Sequence, residues 1–158
     1  MANLTVTLTE SVTLNGTARG STNSLTVSGV NDVFHRIVTV PAGSSDLTLV
    51  SFTNSMENRD GALDRDLVKY IRVTNLDGSN PVNLSLQIDA GEDDSAADAS
   101  TTLLLEAGKS FIMGSPSDGI ATDDDAATIV TTLNNLESII ADSISAAVQV
   151  EVFIASVV

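Results

Sequence analysis

Val82, Leu84, Leu86 and Ile88 occupy every second position, separated by Asn83, Ser85 and Gln87, and Val148, Val150, Val152 and Ile154 repeat the pattern around Gln149 and Glu151. A period of two places successive side chains on opposite faces of a strand, so each segment has an apolar face that must be covered by a second layer. The first residues follow the same rule: Leu4, Val6 and Leu8 alternate with Thr5, Thr7 and Thr9, and Val12 with Leu14 is read as continuing that strand. Asn15-Gly16 then turns the chain. Leu25 to Ser28 reads as a strand ending at Gly29, and Phe34 to Val40 as another ending at Pro41, which cannot donate to a ladder. Leu47 to Phe52, apolar on both faces, is expected to lie centrally.

Residues 54–66 are polar and aperiodic, and are read as a loop. Val68 to Asn75 resumes extended structure, and the turn signal Asp77-Gly78-Ser79-Asn80-Pro81 predicts a hairpin with Val82 to Ile88. Residues 91–98 form a second polar loop. Leu103 to Leu105 and Phe111 to Met113 flank Glu106 to Lys109 as another hairpin, and residues 114–125 form a third loop. Ile129, Leu133, Leu136, Ile140 and Ile144 fall at spacings of three and four, which predicts one short helix over Leu133 to Ala141. About eight to ten strands at intervals of roughly 8–12 residues predict an all-β fold, a jelly-roll-like antiparallel sandwich in a single domain over residues 1–158.

Composition narrows the functional classes. The chain of 158 residues has no cysteine, so there is no disulfide, thiolate metal site or cysteine nucleophile to consider. With 3% aromatic residues and no Trp, the core must be built from Val, Leu and Ile. The net charge of −14 repels phosphate and anionic membrane surfaces, so neither nucleic acid nor membrane is expected as a partner. No uninterrupted apolar run reaches the ~20 residues needed to span a bilayer. The start Met1-Ala2-Asn3-Leu4-Thr5 has no basic or apolar leader character, which predicts synthesis in a cytoplasm.

Candidate chemistry is sparse. Gly108-Lys109-Ser110 suggests a phosphate loop, but that motif needs a glycine where this chain has Leu103, so a tight turn with Gly108 at positive φ and Lys109 exposed is expected instead. His35 is the single histidine, between Phe34 and Arg36 in a strand, and is read as a surface residue. No serine sits in a Gly-x-Ser-x-Gly elbow. Glu92, Asp93, Asp94 and Asp98, or Asp123 to Asp125, offer oxygen ligands of the type calcium prefers, but without the alternating spacing of a calcium loop, and are read as solvated loops. The sequons at Asn3, Asn15 and Asn83 are chance products of a Ser/Thr-rich chain. No catalytic, cofactor-binding or metal-binding residue is assigned, and the chain is expected to be non-enzymatic.

The segments Leu4-Thr5-Val6-Thr7-Leu8-Thr9-Glu10, Lys69 to Leu76, Leu105 to Phe111 and Val150 to Ala155 resemble small β-rich virion proteins of tailed bacteriophages, especially marine and cyanobacterial ones. The resemblance implies a structural subunit of a virion. A capsid decoration (cement) protein bound to the major capsid protein is the first expectation, a tail or fibre-base subunit the second, and a carbohydrate-binding sandwich module the rival from another class. A homo-oligomer or multivalent assembly is expected, and Leu4, Val6 and Leu8 are the partner-binding candidates, because the first strand can pair with another chain by strand addition.

Overall fold

A computed structural model describes residues 1–43, 46–54, 61–89, 99–123 and 129–157. The front sheet contains β1 (Ala2–Thr9), β4 (Thr22–Val40), β12 (Val148–Val157), β7 (Val68–Asn75) and β10 (Ser110–Met113), in the spatial order β1-β4-β12-β7-β10. The back sheet contains β6 (Leu63–Asp64), β5 (Leu47–Thr53), β11 (Asn135–Asp142), β8 (Val82–Asp89) and β9 (Ala99–Leu105), in the order β6-β5-β11-β8-β9. A ribbon of β2 (Val12–Leu14) and β3 (Thr17–Arg19) stands apart. Among these pairs only β5 with β6 is parallel. Without β1 and the two-residue β6, the orders β4-β12-β7-β10 and β5-β11-β8-β9 are those of an eight-stranded jelly roll.

The alternating segments supply the core between the sheets. Val148, Val150, Val152 and Ile154 of β12 and Ile71 and Val73 of β7 meet Val82, Leu84 and Leu86 of β8 and Leu136, Ile139 and Ala141 of β11, all essentially excluded from solvent. Each Val, Leu or Ile among them contributes about 1.5–3 kcal/mol by leaving water.

Two expected hairpins are instead crossings between sheets. β7 pairs with β12 and β10, whereas β8 pairs with β11 and β9, so the turn over residues 77–81 carries the chain from front to back. The turn at residues 106–109 likewise takes it from β9 in the back to β10 in the front. Turn chemistry fixes where the chain reverses, not which sheet it enters. Asn75, fully buried, ties both crossings together: its side-chain amide donates to the carbonyls of Asn80 at 2.9 Å and Leu105 at 3.1 Å. Asp77 accepts from the backbone N–H groups of Ser79 (2.8 Å) and Asn80 (2.7 Å), which hold its carboxyl below the ordinary range.

The expected helix over Leu133 to Ala141 is strand β11. Opposite β8, Leu136 pairs with Ile88 and Ser138 with Gln87, so Glu137 is the extra residue of a β-bulge. Leu136 and Ile139 therefore both point inward although they are three residues apart, whereas Ile140, which the helical spacing groups with Leu136, lies on the opposite face beside Asn83, Ser85 and Gln87. Ile129 and Ile144, which completed the helical pattern, are exposed.

The two strands expected on either side of Gly29 are one strand of 19 residues. Residues 30–40 of β4 pair with β12, and residues 22–30 pair with β1 on its other side. Register breaks at Gly29 (φ 78°) opposite β1 and at Asn31 opposite β12 bend the strand at this junction. The bend brings the β1–β4 ribbon over the outward face of the front sheet. There Leu4, Val6 and Val27 pack with Val30, Tyr70, Phe153 and Ala155 in a second, smaller apolar cluster.

Candidate docking groove and arm

The ribbon is two-faced because its sequence alternates. Leu4 lies opposite Val27 and Val6 opposite Leu25 on the face turned to the body, while Thr5, Thr7 and Thr9 lie opposite Thr26, Ser24 and Thr22 on the other. The hydroxyls of Thr7 and Ser24 are 3.2 Å apart, and Thr22 donates to Thr9 at 3.4 Å. At the base of the arm, Leu4 and Val6 are half-buried on the body; farther out, Leu8 and Leu25 are each more than half exposed. The tip beyond them closes through Asn15 (φ 50°) and Gly16 (φ 76°), the two positive-φ positions of a two-residue hairpin turn, and exposes Val12 and Leu14.

A groove of about 370 Å³ runs between arm and body, lined by all five residues from Leu4 to Leu8 and by Tyr70, Arg72, Ile112 and Phe153. Successive residues of a strand face opposite ways, so a cavity touching five in a row follows the strand's backbone edge. β1 is the outermost strand of the front sheet, and its outer edge has no paired strand among the described residues. The groove thus combines unpaired backbone donors and acceptors with a largely apolar floor. Of the candidates from the first strand, Leu4 and Val6 face the protein's own body and Leu8 is the more exposed; what β1 presents outward is its backbone.

A polar row crosses the floor beside the groove. His35 Nε2 lies 2.8 Å from Glu151 Oε1, and Arg72 Nη2 lies 2.7 Å from Glu151 Oε2. Arg72 also donates to the Thr74 hydroxyl, which lies 2.8 Å from that of Ser110. The hydrogen bonds from His35 and Arg72 hold the Glu151 carboxyl below its ordinary range. Arg72 sits 5.9 Å from the centroid of Phe153, which also meets His35 at 5.8 Å and Tyr70 edge-on at 6.2 Å. Burial raises the Tyr70 phenol. His35 and Arg72 both engage the Glu151 carboxylate and both lie against the Phe153 ring, so the row holds Arg72 and Phe153 in place.

Gly108 takes φ 70° and Lys109 is exposed, in a turn closed by Lys109 N–H on the Glu106 carbonyl at 3.1 Å. Residues 91–98 and Asp124 with Asp125 lie outside the described residues, and Asp123 is exposed. Among the described residues no three carboxylate or imidazole side chains gather as a metal site. Tyr70, Arg72, Ile112 and Phe153 were not singled out from sequence. A signal existed at Phe153 and Ala155, which are apolar on the phase of β12 that carries Gln149 and Glu151, and such residues need a cover on the outward face.

No family model, curated protein or solved structure matches the chain.

Proposed function

We propose that the protein is a non-enzymatic structural subunit of a tailed-phage particle, a capsid decoration protein that binds the assembled shell through the groove beside β1. The observation that carries this reading is the free edge of β1 running along an apolar-floored groove, the arrangement that accepts an extended segment as an added strand. In that mode the partner's main chain pairs with residues 4–8 while its side chains pack on Ile112, Phe153 and Tyr70. Jelly rolls recur in viral capsids, which supports the reading by analogy of fold. A subunit that binds the assembled lattice and not its free components stabilises the particle by mass action, and several contacts per particle multiply a modest affinity.

Ile112, half exposed on the groove floor, provides the test. Ile112→Asp should leave the fold intact and weaken binding to purified shells at least about tenfold, since a carboxylate in the groove would be desolvated by the incoming strand. Wild-type binding by this variant would remove the groove from the reading. Immunogold imaging that finds the protein only on tails would replace decoration by a tail role.

A further inference from the structure

We propose that the outward face of the back sheet holds a binding site for a neutral sugar unit, in a cavity of about 260 Å³ walled by Asp46, Asn83, Ser85, Gln87, Thr102 and Asp142. Alternation builds the site. Val82, Leu84 and Leu86 turn into the core, so Asn83, Ser85 and Gln87 of β8 face outward. On one side β11 sets Asp142 opposite Asn83 and Ile140 opposite Ser85, and on the other β9 sets Thr102 opposite Ser85. Asp46 precedes Leu47, the partner of Ala141, and the Gly43 N–H on the Ser143 carbonyl at 2.9 Å fixes this entry to β5 beside the end of β11.

The cavity is short of hydrogen bonds and of positive charge. Among the described residues, the one hydrogen bond made by its six polar side chains runs from Gln87 Nε2 to the Ser85 hydroxyl at 2.7 Å. Asp142 Oδ1 is withdrawn from solvent and has no hydrogen-bond partner among the described residues, and none of those lining the cavity is a lysine, arginine or histidine. A carboxylate oxygen in that state opposes folding, and a ligand that donates to the carboxylate offsets the cost. The terminal torsion of aspartate is broad, so either oxygen can turn to a donor in the cavity.

The chemistry of the lining selects a sugar. Asn83, Ser85, Gln87 and Thr102 carry donor as well as acceptor atoms and so match hydroxyls, which are both; a metal ion or an amine would use the two carboxylates and leave those donors idle. Asp46 and Asp142 repel acidic sugars, phosphates and sulfates. β8 and β11 are paired along both edges, so an extended peptide finds no free backbone there and the ligand must bring its own polar groups. Ile140 gives an apolar floor for the C–H face of a ring, and the volume, just under the ~300 Å³ at which pockets begin to enclose drug-sized molecules, suits a single ring. Groove and cavity lie on opposite outward faces of the sandwich, so the inference is independent of the decoration reading.

Saturation-transfer NMR of the full-length protein with glucose, galactose, mannose and N-acetylglucosamine, each at about 10 mM, tests the proposal, because one ring supplies an affinity of about millimolar order. At least one of the four should bind, and N-acetylneuraminic acid should not. Asn83→Ala and Asp142→Ala should each weaken that binding at least about fivefold, the loss of one hydrogen bond to a ligand. Asn83→Ser and Asp142→Asn replace them if circular dichroism shows an unfolded protein. Ile112→Asp, on the groove side, should bind the sugar as wild type does, which keeps this test separate from shell binding. No binding by any of the four sugars, variants at Asn83 and Asp142 that bind like wild type, or loss of binding in Ile112→Asp would each overturn the proposal. Equal binding of N-acetylneuraminic acid, or binding of calcium chloride or spermidine in place of sugar, would overturn it as well.

Discussion

Glu137, the bulge residue of β11, places its carboxylate 2.6 Å from the guanidinium of Arg65, whose side chain is only 7% exposed. The bulge thus serves two ends: it brings Leu136 and Ile139 to the same side, and it aims a charge at the one described arginine that is buried. Arg65 in turn is anchored by its backbone N–H on the Thr53 carbonyl at 2.9 Å, next to the short β6.

Removing either partner takes away this ion pair at a buried or partly buried position. Arg65→Ala is expected to cost roughly 2–3 kcal/mol, below the range for fully buried pairs because Glu137 is 23% exposed. The melting temperature should then fall by roughly 5–10 °C. Glu137→Gln should cost less, and Arg65→Leu with Glu137→Leu should recover part of the loss. Thermal melts of the three variants check the order.

The strand assignment of β11 makes an equally direct prediction. Leu136→Ala and Ile139→Ala should each cost about 2–5 kcal/mol, since both side chains are fully buried between the sheets. Ile129→Ala, at 90% exposure, should change stability by less than about 0.5 kcal/mol. Comparable effects at Ile129 and Leu136 in denaturant titrations would favour the helical pattern over the bulged strand.

What could be read from the chain follows from the range of the signals. Alternation is local, so β1, β7, β8 and β12 were legible, as was the need for two layers. Sheet membership is decided by partners far away in sequence, and the strong turn at residues 77–81 looks the same whether it closes a hairpin or crosses the sandwich. Gly29 reads as a strand terminator because glycine usually is one, yet here it is the extra residue that lets β4 bend and continue. The candidate groove was half legible: the first strand was visible, but the floor of Tyr70, Arg72 and Phe153 depends on β7 lying beside β12 and on an arm folding over them.

Stability should depend on pH through Glu151. His35 of β4 and Arg72 of β7 face its carboxylate, and their hydrogen bonds keep its folded pKa below the ordinary value. The unfolded chain then takes up a proton more readily than the folded one as pH falls. The stabilisation is fully present above the unfolded glutamate pKa of about 4.3 and is lost as pH drops through the lower folded value. Glu151→Gln should lower the melting temperature at pH 6, and the gap to wild type should narrow below about pH 4. A gap that stays constant between pH 6 and pH 3 would contradict this account.

Gly20 makes the arm separable from the body. It adopts φ 137°, a conformation side chains rarely tolerate, and a Cβ there would fall on the Glu10 carbonyl oxygen, beside the Glu10 N–H to Ser21 carbonyl bond of 2.8 Å. Gly20→Ala must therefore open the kink where the tip ribbon leaves β1 and β4. Because residues 10–26 are exposed and contribute nothing to the main core, global stability should change by less than about 1 kcal/mol, while backbone amides of residues 10–21 lose protection from hydrogen exchange. Amides of β8 and β12 should exchange as in wild type. Gly29→Ala separates space from conformation: its Cβ would meet only the Met1 sulfur at 3.8 Å, leaving backbone strain at φ 78° of about 1–2 kcal/mol as the cost. That cost should appear at the base of the arm, as lost protection in residues 2–6 and 25–30. Loss of protection throughout β12 in Gly20→Ala would show instead that arm and body unfold as one unit.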